Sequence, residues 1–288
     1  NNLPMPIGSL FIYSFFYKLF GLYSLILIEL IAIFSFLIIF YKIFNRFSNE
    51  NISLFSSLLI ISLPGIIGSF DLDIWIIKNT LNNIYSLRLH RPVFSNIFFF
   101  ICIYLLIKEI QEEKINNKNI YILSFVMGLL FSSFYYFFII IFLSTLSVLI
   151  YKIELKKNII QNYYKLIIKS SIIFFITSLP FILNLYFHEK DISEGAGLIT
   201  LDLEKKIQIF KYFIFNYTKF EFLFIFFILS LITIFFKKNY NKKIILLFYI
   251  IFISSILSPI FFIALSPSSG LIYHFNNNIL ICIFLFFF

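Results

Sequence analysis

Runs of roughly twenty apolar residues follow one another along this chain with only short polar gaps between them, and nothing else in the sequence restricts the fold so sharply. A backbone amide or carbonyl left unpaired in hydrocarbon is costly. Such runs can therefore cross a membrane only as helices, which satisfy their own backbone groups. The runs predict spans near 21–41, 52–68, 93–108, 166–187, 213–236 and 244–265, with a further one opening near 278. Composition agrees: 61% of the residues are hydrophobic and 13% charged, against about 25% charged in an ordinary soluble domain. This balance excludes a soluble globular enzyme, a disordered chain and a secreted disulfide scaffold. Cys102 and Cys282 both lie inside apolar runs, so neither a disulfide framework nor a thiolate metal cluster is indicated. The chain opens on Asn1 and stops inside the apolar run Ile279 to Phe288, the pattern expected of an internal fragment with spans missing upstream and downstream.

The stretch 120–151 is 32 residues of nearly unbroken apolarity, too long for one ordinary span. It is interrupted by Ser132-Ser133-Phe134-Tyr135-Tyr136, where two shorter helices can meet. Charge decides between a break and one long tilted helix, because basic residues in short loops collect on the cytoplasmic side. With the break, the loops 42–51, 109–119, 152–165 and 237–243 share one side. Together with the span ends beside them they carry 14 of the 23 basic residues and five acidic ones. The other side holds nine basic and eight acidic residues. Without the break, lysine-rich loops fall on both sides. The broken reading gives an all-α, polytopic bundle of about eight spans plus a truncated ninth, forming one membrane domain over residues 1–288 with no soluble domain. The net charge of +9 then reports topology, which removes nucleic acid as a partner.

The side opposite the lysines carries residues 1–20, 69–92, the tip at 132–136, 188–212 and 266–277. Leu201 to Phe213 within it reads as an amphipathic helix on the membrane surface. Three places there concentrate polar groups. In the loop 69–92, Asp71 and Asp73 stand two residues apart and point the same way if extended. They could share a divalent cation such as magnesium or manganese, or one could act as a base; the alternative is a pair of solvated loop charges. Arg88, His90 and Arg91 directly precede a span, where they could hold a phosphate at headgroup depth or serve as snorkelling anchors. The loop from His188 to Gly197 joins carboxylates to glycines, as a lid or a solvated acidic loop would. The third place, Ser266 to Asn278, contains Tyr273 and His274, the latter a phosphate or hydroxyl partner or an interfacial histidine paired with an asparagine. Glu29, the only acid deep within a span, is expected to face the bundle. Pro64, Pro180 and Pro259 are expected to kink their helices.

No phosphate-cradling glycine loop, Gly-x-Ser-x-Gly, His-Glu-x-x-His or Cys-x-x-Cys is present, and neither an arginine ladder nor a potassium-filter motif occurs. Three stretches instead carry a family likeness: Asn2 to Gly21, with Pro4, Pro6 and Gly8 leading into a short helix; Arg88-Leu89-His90-Arg91-Pro92-Val93-Phe94-Ser95; and Gly128 to Phe137, small residues followed by aromatics. In these the chain resembles the GT-C class of polytopic glycosyltransferases, which take a sugar from a polyprenyl-phosphate carrier on the extracytoplasmic face. The resemblance implies an inverting single displacement. A carboxylate deprotonates an acceptor hydroxyl on a glycan, lipid or protein; that oxygen attacks the anomeric carbon, and the lipid phosphate departs. It further implies a plasma or inner membrane location, with Arg88, His90, Arg91 and His274 on the phosphate and Asp71 and Asp73 as base or metal ligands. The family's main carboxylate normally lies early in the first outer loop. Residues 1–20 contain no Asp or Glu, so the resemblance puts that group upstream of Asn1. The rival expectation is a membrane transporter or polymerase of lipid or polysaccharide, built around Glu29 and the kinked helices.

Overall fold

The computed structural model describes residues 7–69, 92–154, 160–187, 199–200, 202–217, 242–265 and 268–269. These fold as helices α1 (Ile7–Phe20), α2 (Tyr23–Phe44), α3 (Glu50–Ser69), α4 (Pro92–Gln111), α5 (Asn117–Ser133), α6 (Tyr135–Glu154), α7 (Ile160–Phe187), α8 (Leu203–Tyr217) and α9 (Lys242–Leu265). One antiparallel pair of two-residue strands, β1 (Ile199–Thr200) and β2 (Ser268–Ser269), accompanies them. Among the described residues five helices are long and apolar enough to cross a membrane: α2, α4, α6, α7 and α9. The chain is a helical membrane protein. With 17 residues, α5 is about 25 Å long, just short of the roughly 30 Å hydrocarbon core. Of the expected span at 213–236, residues 213–217 form the end of α8 and the rest lies outside the described residues, as does the span expected from 278.

The interruption in the long apolar stretch is a reversal made on one residue. Phe134 leaves the helical region at φ −158° and ψ 89°, and its amide still donates to the Leu130 carbonyl at 2.7 Å. The Ser132 hydroxyl donates to the Gly128 carbonyl at 2.9 Å, satisfying a second group near the end of α5. Beyond the turn α6 runs back along α5. Phe131 meets Phe138 with centroids 5.0 Å apart, and deeper down the Thr145 hydroxyl reaches the Met127 sulfur at 3.8 Å. Packing against α7 is equally close: a Cβ at Gly128 would collide with the Thr177 side chain, so glycine lets the two helices approach at that level. Gly21 serves differently. It takes the left-handed φ of +58° that separates α1 from α2, with its amide donating to Tyr17.

Ring contacts give the direction of the other helices. Phe36 and Phe40 of α2 both pack on Phe100 of α4, and beyond them the Arg46 guanidinium donates to the Tyr104 phenol at 3.4 Å. The two helices are therefore parallel. Phe47 lies against Phe248 near the start of α9, with centroids 6.0 Å apart. Pro259 inside α9 supplies no amide to the Ser255 carbonyl, which instead accepts from the Ser258 hydroxyl at 2.8 Å.

At this same end a buried ion pair closes the bundle. Lys152 near the end of α6 donates to Glu109 near the end of α4 at 2.7 Å, with side chains 5% and 1% exposed. The same carboxylate oxygen accepts from the Asn116 amide at 3.2 Å, just ahead of α5. Asn116 caps α5 by accepting from the amides of Lys118 and Asn119, and both asparagine side chains donate to Glu112. The described ends of all four lysine-rich loops thus meet at one end of the bundle, as the charge count predicts.

A buried charge that loses its partner costs about 3–5 kcal/mol, whereas an apolar pair of similar volume is often neutral. Glu109→Met alone should therefore lower the midpoint of thermal unfolding in detergent steeply. Glu109→Met with Lys152→Met should recover most of that loss; equal midpoints for the single and double variants would show the pair to be uncoupled.

Candidate functional site

Two clusters of buried polar groups stand out, one at each end of the bundle. The lysine-rich end holds the Glu109–Lys152 pair, whose second carboxylate oxygen is buried with no hydrogen-bond partner. Sequence reasoning missed this site by counting both residues as loop charges. A usable signal was present. Glu109 continues the buried stripe Phe99, Cys102 and Leu106 of α4, and Lys152 continues Phe137, Ile141, Ser144 and Val148 of α6. A charged residue on the packed face of each of two neighbouring helices predicts a pair. Its chemistry is that of a clamp across α4, α5 and α6.

The opposite end is built from hydroxyls, small residues and aromatic rings. Gly8 of α1 lies so close to the α5–α6 turn that a Cβ there would come within 2.6 Å of the Ser133 hydroxyl, itself fully buried. Tyr13 on the next turn meets Phe94 edge-on at 5.7 Å. Phe99 then packs on Phe137 at 4.7 Å, which brings the first turns of α4 level with the hairpin tip. Ser95, Asn96, Ser132 and Tyr136 are buried there as well. The first residue of α4 is Pro92, a favoured first helical residue because its missing amide is one the helix would leave unpaired anyway. Arg88-Leu89-His90-Arg91 directly precedes this start in the sequence.

The strand pair adds a second convergence. Ile199 pairs with Ser269 and Thr200 with Ser268, so backbone hydrogen bonds join the polar loops 188–212 and 266–277 just beyond the far end of α9. That end lies away from Phe47 and the lysines.

The individual site residues Asp71, Asp73, Arg88, His90, Arg91 and His274 lie outside the described residues, as does the loop from His188 to Gly197. Among the described residues no group of three or more His, Cys, Asp or Glu side chains forms a metal-binding cluster. One expectation is corrected. Glu29 is exposed instead of facing the bundle. The packed face of α2 runs through Ser24, Ile28, Ala32, Phe36, Ile39 and Ile43, chosen by its small residues and by the stack of Phe36, Phe40 and Phe44; the residue after Ile28 points away from it. Comparison of the chain with protein families, curated proteins and solved structures yields no match.

Overpacking a tight contact costs about 1–3 kcal/mol. Gly8→Ala should destabilise the protein through the Ser133 hydroxyl, and adding Ser133→Ala should return part of the loss. A double-mutant cycle on thermal unfolding reads the coupling, and strict additivity would place the two residues apart.

Proposed function

We propose that this chain is an integral membrane glycosyltransferase of GT-C type, with about eight spans and part of a ninth. It transfers a sugar from a polyprenyl-phosphate carrier to an extracytoplasmic glycan, lipid or protein, with inversion. The observation that carries this reading is the start of α4 at Pro92, beside α1 and the α5–α6 turn and at the end of the bundle remote from the lysine-rich loops. Two described stretches that the family resemblance rests on, the short helix leading into the next span and the small-then-aromatic hairpin, lie beside this start, and Arg88-Leu89-His90-Arg91 precedes it in the sequence. By the positive-inside rule the lysine-rich end is cytoplasmic, in a plasma or inner membrane, so the α4 start faces outward.

The chemistry follows from where a lipid-linked donor must present itself. Its phosphate stays at headgroup depth, and charge builds on that phosphate as the sugar leaves. Arg88 and Arg91 offer bidentate donors to that charge, and His90 and His274 offer further hydrogen bonds. A carboxylate takes the acceptor proton, with Asp71 and Asp73 the candidates on this chain; the same pair would be the ligands of a magnesium or manganese ion, which would supply positive charge to the leaving group. A transporter requires a polar group turned into the bundle near the midplane, and the exposure of Glu29 weighs against that alternative.

Membranes containing the full-length protein, with the segment that precedes Asn1 restored, test the proposal when supplied with labelled polyprenyl-phosphate sugar and acceptor. Arg88→Ala with Arg91→Ala should reduce transfer by about 10²–10³-fold, the scale of losing donors to developing charge, while Glu29→Gln leaves it unchanged. Full transfer by the double arginine variant would remove both residues from the mechanism.

A further inference from the structure

The amphipathic segment ahead of residue 213 presents more than a polar and an apolar side. In α8, Ile209 packs against the hydrophobic core. Leu203, Ile207 and Phe210, spaced one and two turns apart, do not share that contact: they are exposed, Leu203 to 76%. At 3.6 residues per turn these three form one narrow stripe, with Lys206 on one flank and Lys211 on the other. Lys205 and Gln208 occupy the opposite, exposed side. The helix thus has three faces: one on protein, one apolar and bare, and one of Lys205 and Gln208 with the exposed Tyr212 between them.

Its placement narrows what can cover the bare face. The strand β1 precedes α8 by two residues and pairs with β2 beyond the C-terminal end of α9, tethering the start of α8 to the end of the bundle opposite the lysine-rich loops. Five charged residues between Asp202 and Lys211 keep this helix out of the hydrocarbon centre. Its first turn is anchored. Asp202 accepts from the Lys205 amide at 2.8 Å, which holds its exposed carboxyl below the usual range, so it remains ionised at working pH. Glu204 shares the flank of Lys211 two turns earlier, at the helix start where an acid complements the dipole.

We propose that α8 is a lipid-binding helix of the membrane interface. Leu203, Ile207 and Phe210 lie in the acyl boundary of the bilayer, and Lys206 and Lys211 straddle the stripe against the phosphates of anionic headgroups. The proposal is independent of the sugar-transfer reading, since any reaction at this end of the protein would be served by the same contact.

Single cysteines at 203, 205, 207, 208 and 210, each in the full chain carrying Cys102→Ala and Cys282→Ala and bearing a nitroxide, test it in nanodiscs. The discs are pure phosphatidylcholine or phosphatidylcholine with phosphatidylglycerol. Labels at 203, 207 and 210 should relax several-fold more with oxygen relative to a water-soluble nickel chelate than labels at 205 and 208. In the phosphatidylglycerol discs, Lys206→Glu with Lys211→Glu should shift the stripe labels toward the chelate, and in pure phosphatidylcholine it should not. Because both lysines lie outside the core, an unchanged unfolding midpoint certifies that the charge-reversed protein is folded. Equal accessibility on both faces overturns the proposal, and so does a stripe shielded from both reagents, which means a protein surface covers it. An equal effect of charge reversal in both kinds of disc overturns the recognition of anionic headgroups.

Discussion

An unpaired amide in hydrocarbon costs several kcal/mol, so a chain that reverses inside or near a bilayer must do so without abandoning its backbone groups. Here the reversal uses Phe134 alone. Its amide remains bonded to the Leu130 carbonyl while its carbonyl accepts from the Phe137 amide at 3.2 Å, and the neighbouring rings of Tyr136 and Phe137 pack around it. Everything after residue 134 takes its direction from this turn. At the other end of the hairpin the Glu109–Lys152 pair returns α6 to the end of α4, and the Asn116 amide ties the start of α5 to the same carboxylate. A turn at one end and a buried charge pair at the other hold the hairpin in register.

The two ends of the bundle consequently differ in kind. One is closed by long-range ionic and amide contacts that span three helices. Such contacts tolerate little change, because removing either charge leaves the other buried. The other is assembled from close approaches, Gly8 on Ser133 and Tyr13 on Phe94, with loops joined by a two-residue strand pair. It gathers hydroxyls, an asparagine and aromatic rings around the first turn of α4. At this second end α8 presents lysines beside an apolar stripe.

Much of this arrangement was legible before any coordinates. The break at 132–136 followed from the cost of putting lysine loops on both sides of a membrane, a constraint that acts on the whole chain and so survives any local ambiguity. The start of α4 at Pro92 falls within one residue of the apolar run expected from 93. Inward and outward faces were not legible, because nearly every position of α2 is apolar and periodicity cannot choose among them; Glu29 was assigned inward on cost alone and proved exposed. Glu109 and Lys152 escaped for the converse reason. Near a span end a charge reads as a topology signal, and only the packing of α4 on α6 shows that these two satisfy each other. The arginine, histidine and aspartate candidates remain a reading of sequence, since they lie outside the described residues.

The central claim is that the lysine-rich loops occupy one end of the bundle and α8 the other. Single cysteines at 114, 242 and 205, in a chain carrying Cys102→Ala and Cys282→Ala, test it directly when intact cells meet a membrane-impermeant maleimide. The account predicts that position 205 reacts in intact cells while 114 and 242 react only after permeabilisation. Positions 114 and 205 reacting from the same side would contradict it.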